Sequence, residues 1–247
     1  MVSHSAIEEI ATVFSAGLVA TFLGLVLAGI NPFLLPPVQL LAVYPFYFKA
    51  IRRGELRYAA LLVFLWAIAV SLAIIFATIS QRSLVSGRII NGEAYVSEMF
   101  EWIRTGRGPE GDPSLFMIPK IREIAVFTAL SFASVGLLGL FLGAVLLNYM
   151  NYYVGVLILH AKPEHLLGVV LLSWQIYALL RVVGYVLLGV ALSRLSYIII
   201  FHGRYTVEKD VKRLLFWSLV FIALDFLLKS TVANAFYQPL LQMFTNI

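Results

Sequence analysis

Long apolar runs separated by short clusters of charge set the pattern of this chain. Five of them, at about 10–30, 58–79, 124–147, 167–190 and 213–233, have the length of roughly 20 residues that carries an α-helix across a hydrocarbon core. Two further stretches admit more than one reading. Residues 33–48 hold Pro36, Pro37 and Pro45, and prolines remove helical donors, so a broken or surface-lying element is expected there, with a re-entrant loop or a full span as alternatives. Residues 148–159 open on the polar run Asn148-Tyr-Met-Asn-Tyr-Tyr153 and are short. The fold class that follows is all-α: a polytopic transmembrane helix bundle of five to seven spans, one integral domain over 1–247.

Between the second and third runs the pattern changes period. Tyr95, Val96, Met99, Phe100, Trp102 and Ile103 fall on one helical face and Glu93, Ser97, Glu98, Glu101 and Arg104 on the other. An amphipathic helix over about 92–104 is expected, capped at Asn91. Its polar face is mostly acidic, so its apolar face must anchor it, by lying on the membrane or, preferably, by capping the bundle. The turn-rich segment 105–113 follows.

Composition closes off the soluble alternative, because 61% hydrophobic against 13% charged residues leaves too little polar surface to cover a water-soluble fold. The net charge of +5, from 18 basic and 13 acidic residues, sits between the apolar runs rather than among aromatics on a polar face, which argues against nucleic acid and for lipid headgroups. Lys49, Arg52, Arg53 and Arg57 place 49–57 in the cytoplasm of a cell membrane, and 80–122 outside. Arg194, Arg204, Lys209, Lys212 and Arg213 ask for 194–213 to be cytoplasmic too, which a five-helix count forbids. Six spans resolve the conflict if the uncharged stretch from about 124 to 160 crosses twice, although some 37 residues are few for two crossings. Near Met1 there is no basic n-region, Val2 stands where myristoylation needs Gly, and the chain has no cysteine. A signal peptide, disulfides, thiolate chemistry and lipid anchors are therefore not expected.

Candidate chemistry is sparse. Gly106, Gly108 and Gly111 match a dinucleotide string without its strand and helix, and Asp112, Asp210 and Asp225 are too scattered to hold Mg²⁺ against a diphosphate. Nothing in the chain calls for a cofactor. His160, Glu164 and His165 invite a metal or acid–base reading, but Pro163 lies between the histidines, and Pro163 with Glu164 reads as the first turn of the next helix. Gly136, Gly139 and Gly143 read as a packing seam on one helix.

Charges inside the runs are more informative. Arg181 lies mid-run in 167–190 and Asp225 at the midpoint of 213–233; at that depth a charge costs about 3 kcal/mol and seeks a partner inside the bundle. Arg181 and Asp225 are the expected pair, with Lys229, four residues past Asp225, as competitor. Tyr177, Arg181 and Tyr185 share a face, with Trp174 adjoining it, and Asn148 and Asn151 are further candidates for a polar interior. Two functional classes follow. One is a small transporter, permease-like protein or membrane-complex subunit, associating with lipids and with other subunits or a second copy, and having a polar cavity that reaches Arg181. The other is a membrane-embedded enzyme acting on a lipid or peptide, with His160, Glu164 and His165 brought together. The first is preferred.

Overall fold

The computed structural model describes residues 4–247, with side chains from Ile7 onward; Met1 and Val2, which bear on signal and acylation, lie outside the described residues. The described chain is all α-helical, apart from an isolated bridge between Ala161 and Thr245. Helix α1 (His4–Leu27) is followed by α2 (Leu35–Leu41), α3 (Tyr44–Arg53), α4 (Leu56–Val85), the amphipathic α5 (Gly92–Thr105), α6 (Pro113–Ala133), α7 (Leu137–Leu159), the short α8 (Leu166–Ser173), α9 (Ile176–His202), α10 (Lys209–Val232) and α11 (Gln238–Phe244). Helices α1, α4, α7 and the α8–α9 run are long and apolar enough to cross a membrane, and α2 with α3, bent by 47°, make a fifth candidate if the pair is one span.

The prolines of 33–48 start helices rather than break one. Pro36 and Pro37 lie at the beginning of α2 and Pro45 at the beginning of α3, where the missing N–H has no intrahelical partner to lose. The chain turns between them at Ala42 and Val43. The bent pair then runs the length of α1: Lys49 near the end of α3 meets Glu9 near the start of α1, and Tyr58 at the start of α4 donates to the same Glu9 at 3.0 Å.

The run 124–147, expected as one helix, is two. Val135 and Gly136 both have positive φ (50° and 86°), a left-handed turn that no α-helix passes through and that favours glycine. Helix α6 begins eleven positions before 124, because the Asp112 carboxylate accepts the Ser114 amide at 2.9 Å and Pro113 sits at the first turn, and α7 absorbs 148–159. Two helices fit because the first takes its opening turns from the segment that reads as a linker. The glycine seam holds in part: Gly136 is the corner, packed against Ser193 and Tyr47, Gly139 lets α6 approach closely at Ser131, and Gly143 faces open space.

Both basic segments lie at one end of the bundle. Arg194 of α9 donates to the Ile51 and Arg52 carbonyls that close α3 (2.9 and 3.1 Å), and is itself held by Glu208 (2.7 and 3.0 Å). Hydrogen bonds from Arg194 thus join the segments 49–57 and 194–213. At the other end, Arg88 donates to the Leu25 carbonyl at 2.9 Å, and Glu93 of α5 accepts from Tyr152 of α7. Helix α5 caps this end: Val96, Met99, Trp102 and Ile103 are buried, and Gln238 and Gln242 of α11 donate to the Ile103 and Arg104 carbonyls left open at its C-terminus. Asn91 precedes α5 but makes no side-chain cap bond, because it adopts φ 59° itself.

Candidate functional site

Helices α9 and α10 pack side by side, and α6 leans on α9. Three successive turns of α9 each carry a polar side chain inward, and each meets a carboxylate from a different segment. Tyr177 turns its hydroxyl toward Glu110 of the 106–112 loop without closing a bond of normal geometry. Arg181 makes a bidentate pair with Asp225 of α10, Nε to Oδ2 at 2.8 Å and Nη2 to Oδ1 at 2.9 Å. Tyr185 donates to Glu123 of α6 at 2.7 Å. Two of the three carboxylates have further cations: Lys229 donates to Glu110 at 2.9 Å, and Lys120 to Glu123 at 2.8 and 3.0 Å. Lys229 also lies over the Phe116 ring, 4.8 Å from its centre.

The Arg181–Asp225 and Lys229–Glu110 pairs are almost fully buried, with side chains 4–8% exposed; Lys120–Glu123 is 17% and 19% exposed. Such burial is tolerable only because each charge has a close partner and extra hydrogen bonds. Burial opposes the ionisation of Glu110, but the charges of Lys229 and Arg181 more than offset it and hold its carboxyl below its ordinary value. Glu98, on α5 above the cluster, is shifted the other way: partial burial and the neighbouring Glu110 carboxylate raise it, against the pull of Lys229 and Lys120.

A cavity of about 360 Å³ opens among these groups. Glu98, Glu110, Lys120, Glu123, Arg181 and Lys229 line it, with Tyr95 and Tyr149 as its aromatic walls. It continues into a narrower void of about 70 Å³ between α6, α7 and α9, walled by Phe127, Gly143 and Val186 and reaching Tyr47. There the Tyr47 hydroxyl donates to Ser193 at 2.7 Å, beside the Gly136 corner.

The structure brings Arg181, Asp225, Tyr177 and Tyr185 into one cluster, and gives Lys229 a partner other than Asp225. It leaves Asn148 and Asn151 out. Asn148 exchanges amide bonds with Gln39 of α2 (2.8 and 2.9 Å), and Asn151 donates to Ser71 of α4 at 2.9 Å. The histidines are also elsewhere: His160 contacts the Val156 carbonyl at 2.9 Å and the edge of Phe100, while His165 stacks on Phe244. Among the described residues no three His, Cys, Asp or Glu side chains are grouped to hold a metal ion, so the set His160, Glu164 and His165 is not assembled into a site. Pro163 and Glu164 do open the helical run, as a turn leading into α8.

Glu110, Lys120 and Glu123 were hidden from sequence reasoning because they fall in what reads as an external loop. The Asp112-Pro113-Ser114 cap was the available signal that a helix starts there and puts Lys120 and Glu123 on one face. Compared with protein-family models, curated proteins and solved structures, the chain matches none. The fold and the cluster together define a multi-pass α-helical membrane protein with a charged interior.

Proposed function

We propose that this is a small permease-like transporter, or the solute-binding subunit of a membrane complex, whose binding chamber is the cavity at Arg181. The observation that carries the reading is that cavity itself. A purely structural Arg–Asp clamp needs no space beside it, whereas here about 360 Å³ of void is lined by three cations and three carboxylates. Pockets that hold small molecules typically run from about 300 to 1,000 Å³. The three cations are each paired with a carboxylate, and Glu98 is left without a cation of its own among the described residues, so the chamber has an open place for a cationic group but none for a lone anion. A group bearing both signs can exchange partners with the existing pairs and leave no buried charge uncompensated, so a zwitterion is the ligand class.

Four spans qualify by length and hydropathy, the bent α2–α3 pair makes five, and α6 and α10, whose Lys120, Glu123, Asp225 and Lys229 are paired inside the bundle while Arg122 stays exposed, make seven. This count returns both basic segments to one side, the cytoplasmic side by the excess of Lys and Arg, of a cell membrane. The chamber then opens toward the extracytoplasmic cap of α5, and the Tyr47–Ser193 contact closes the path from the cytoplasmic side.

The cysteine-free chain suits a direct test. Arg53→Cys and Lys209→Cys are expected to react with a membrane-impermeant thiol reagent only from the cytoplasm, and Lys162→Cys only from outside. Met150→Cys, in the chamber wall, is expected to react from outside and to be protected by a bound zwitterion. A folded Met150→Cys protein inert from both sides would mean a dry interior, and the transport reading would fall to a structural subunit role.

A further inference from the structure

A second cavity, of about 270 Å³, lies between α4 and α9 with α7 as its floor. None of the charged side chains of the cluster lines it, and Tyr95 is the one side chain that α5 contributes. Its rim is formed by Ile68, Trp174 and Leu179, each between 43% and 48% exposed on the outer face of the bundle. In a membrane protein such a face meets lipid, so the crevice opens sideways into the bilayer rather than to water. Its wall is mostly apolar and carries no charged side chain. Tyr153 and Gln175 line it, 3% and 4% exposed by residue, and the Tyr153 hydroxyl and Gln175 amide nitrogen lie buried behind the wall with no hydrogen-bond partner among the described residues. A buried amide or hydroxyl left unpaired is costly, and two together in one crevice ask for an acceptor from outside the chain.

The backbone points the same way. The longest apolar run breaks between α8 and α9 at Trp174 and Gln175, where Gln175 is extended. The freed amide of Ile176 is met by the Tyr237 hydroxyl at 3.1 Å. A broken helix at membrane depth persists where it is buried in protein or lines a cavity, and in transporters such breaks mark substrate sites. Tyr95 and Met150 line both this crevice and the charged chamber, so the two are neighbours across a wall of two side chains.

We propose that the crevice between α4 and α9 is the lateral entry site for a membrane lipid with a zwitterionic headgroup. The acyl chain lies along Phe64, Ile68 and Leu179, the ester carbonyl accepts from Tyr153 and Gln175, and the headgroup passes Tyr95 and Met150 into the chamber at Arg181. The substrate of the proposed transporter is then a lipid rather than a free solute. This rests on the chamber reading for the destination of the headgroup, and on the crevice alone for the chain and its linkage.

The test uses the full chain in nanodiscs of phosphatidylglycerol, with a phosphatidylethanolamine probe bearing a diazirine at the end of its acyl chain. Cross-links are expected on residues 64–71 and 178–183, at least tenfold above those from a phosphatidylglycerol probe of the same design. Ala178→Trp fills the crevice and is expected to abolish them. Should that variant fold poorly, Tyr153→Phe combined with Gln175→Met, which keeps the volume, is expected to lower them at least fivefold. Labelling spread evenly over the outer helices, or unchanged in the Tyr153→Phe/Gln175→Met protein, would overturn the lipid site. Full displacement of the probe from wild type by chain-free glycerophosphoethanolamine, with Ala178→Trp binding that compound as wild type does, would also overturn it and leave a soluble zwitterion in an intact chamber. Specific labelling together with an inert Met150→Cys would instead overturn the chamber and the headgroup's destination, leaving the acyl site standing.

Discussion

Replacing Asp225 by Asn keeps the shape of the side chain and removes its charge, which makes it the sharpest probe of the buried pair. Arg181 Nε and Nη2 each donate to a different carboxylate oxygen, at 2.8 and 2.9 Å; an Asn amide offers one oxygen, so the second donor meets an N–H₂. The guanidinium is only 8% exposed by side chain, so the edge that lines the chamber cannot replace the lost carboxylate oxygen with full hydration. Breaking one partner of such a pair costs about 3–5 kcal/mol. At about 2–4 °C per kcal/mol for a chain of this size, the apparent melting temperature should fall by roughly 6–20 °C. Tryptophan fluorescence of the detergent-solubilised protein at one fixed scan rate is a suitable readout, because unfolding of such proteins is often irreversible. Removing both charges with Arg181→Met and Asp225→Leu should recover most of the loss, since an apolar replacement of a whole buried pair is often neutral or stabilising. A coupling at the upper end of the usual range, about 3 kcal/mol, is expected. An Asp225→Asn protein melting within about 2 °C of wild type, or a double variant no better than the sum of the singles, would refute the reasoning.

The Gln39–Asn148 amide pair should behave in the same pattern with smaller numbers: Asn148→Leu alone orphans a buried amide and should cost about 1–3 kcal/mol, while Gln39→Leu with Asn148→Leu should return toward wild type in the same melt. Gly139→Ala would place a methyl against the Ser131 side chain; overpacking of this kind costs about 1–3 kcal/mol, and a Ser131→Gly partner should relieve it. Glu208 is held below its ordinary 4.5 by hydrogen bonds from Arg194. An acid lowered on folding contributes stability that is present above its unfolded value and lost as pH falls through the folded one. Melting curves between pH 7 and pH 3 should therefore show an acid loss at that end of the bundle that is absent from Arg194→Gln; identical pH profiles for the two proteins would remove Glu208 as its source.

Much of the helical frame was legible because it depends on local rules. The apolar runs, the face of α5 and the proline at the start of the 163–202 run each report on a few consecutive residues. What escaped was set by contacts between distant ones. The corner at 134–136 carries only one glycine as a signal, and Val135, with φ 50°, would not be chosen for a left-handed turn on propensity. Asn148 reads as a site candidate because it is polar in an apolar run; only its contact with Gln39, more than a hundred residues away, shows that its bonding is complete.

The region hardest to read as a span is also where the charged cluster lies, and there is a physical reason for the coincidence. Hydropathy scores each residue as if its helix met lipid alone, so Lys120, Arg122 and Glu123 remove α6 from the apolar pattern. In the folded bundle Lys120 and Glu123 face one another, Glu123 also accepts from Tyr185, and the cost that hydropathy assigns to them is largely offset by pairing. The same holds for Asp225 and Lys229 on α10, which are neutralised by Arg181 and Glu110. A helix that contributes charges to an internal site must therefore look like a poor span in isolation. In a chain of this type, an apolar run followed by a second run too short to cross, with paired charges just upstream, is a reason to look for a helix starting at those charges. Applied to this chain, the rule starts α6 near its Asp112 cap, puts Lys120 and Glu123 on the same helix, and so brings Glu123 within reach of Tyr185.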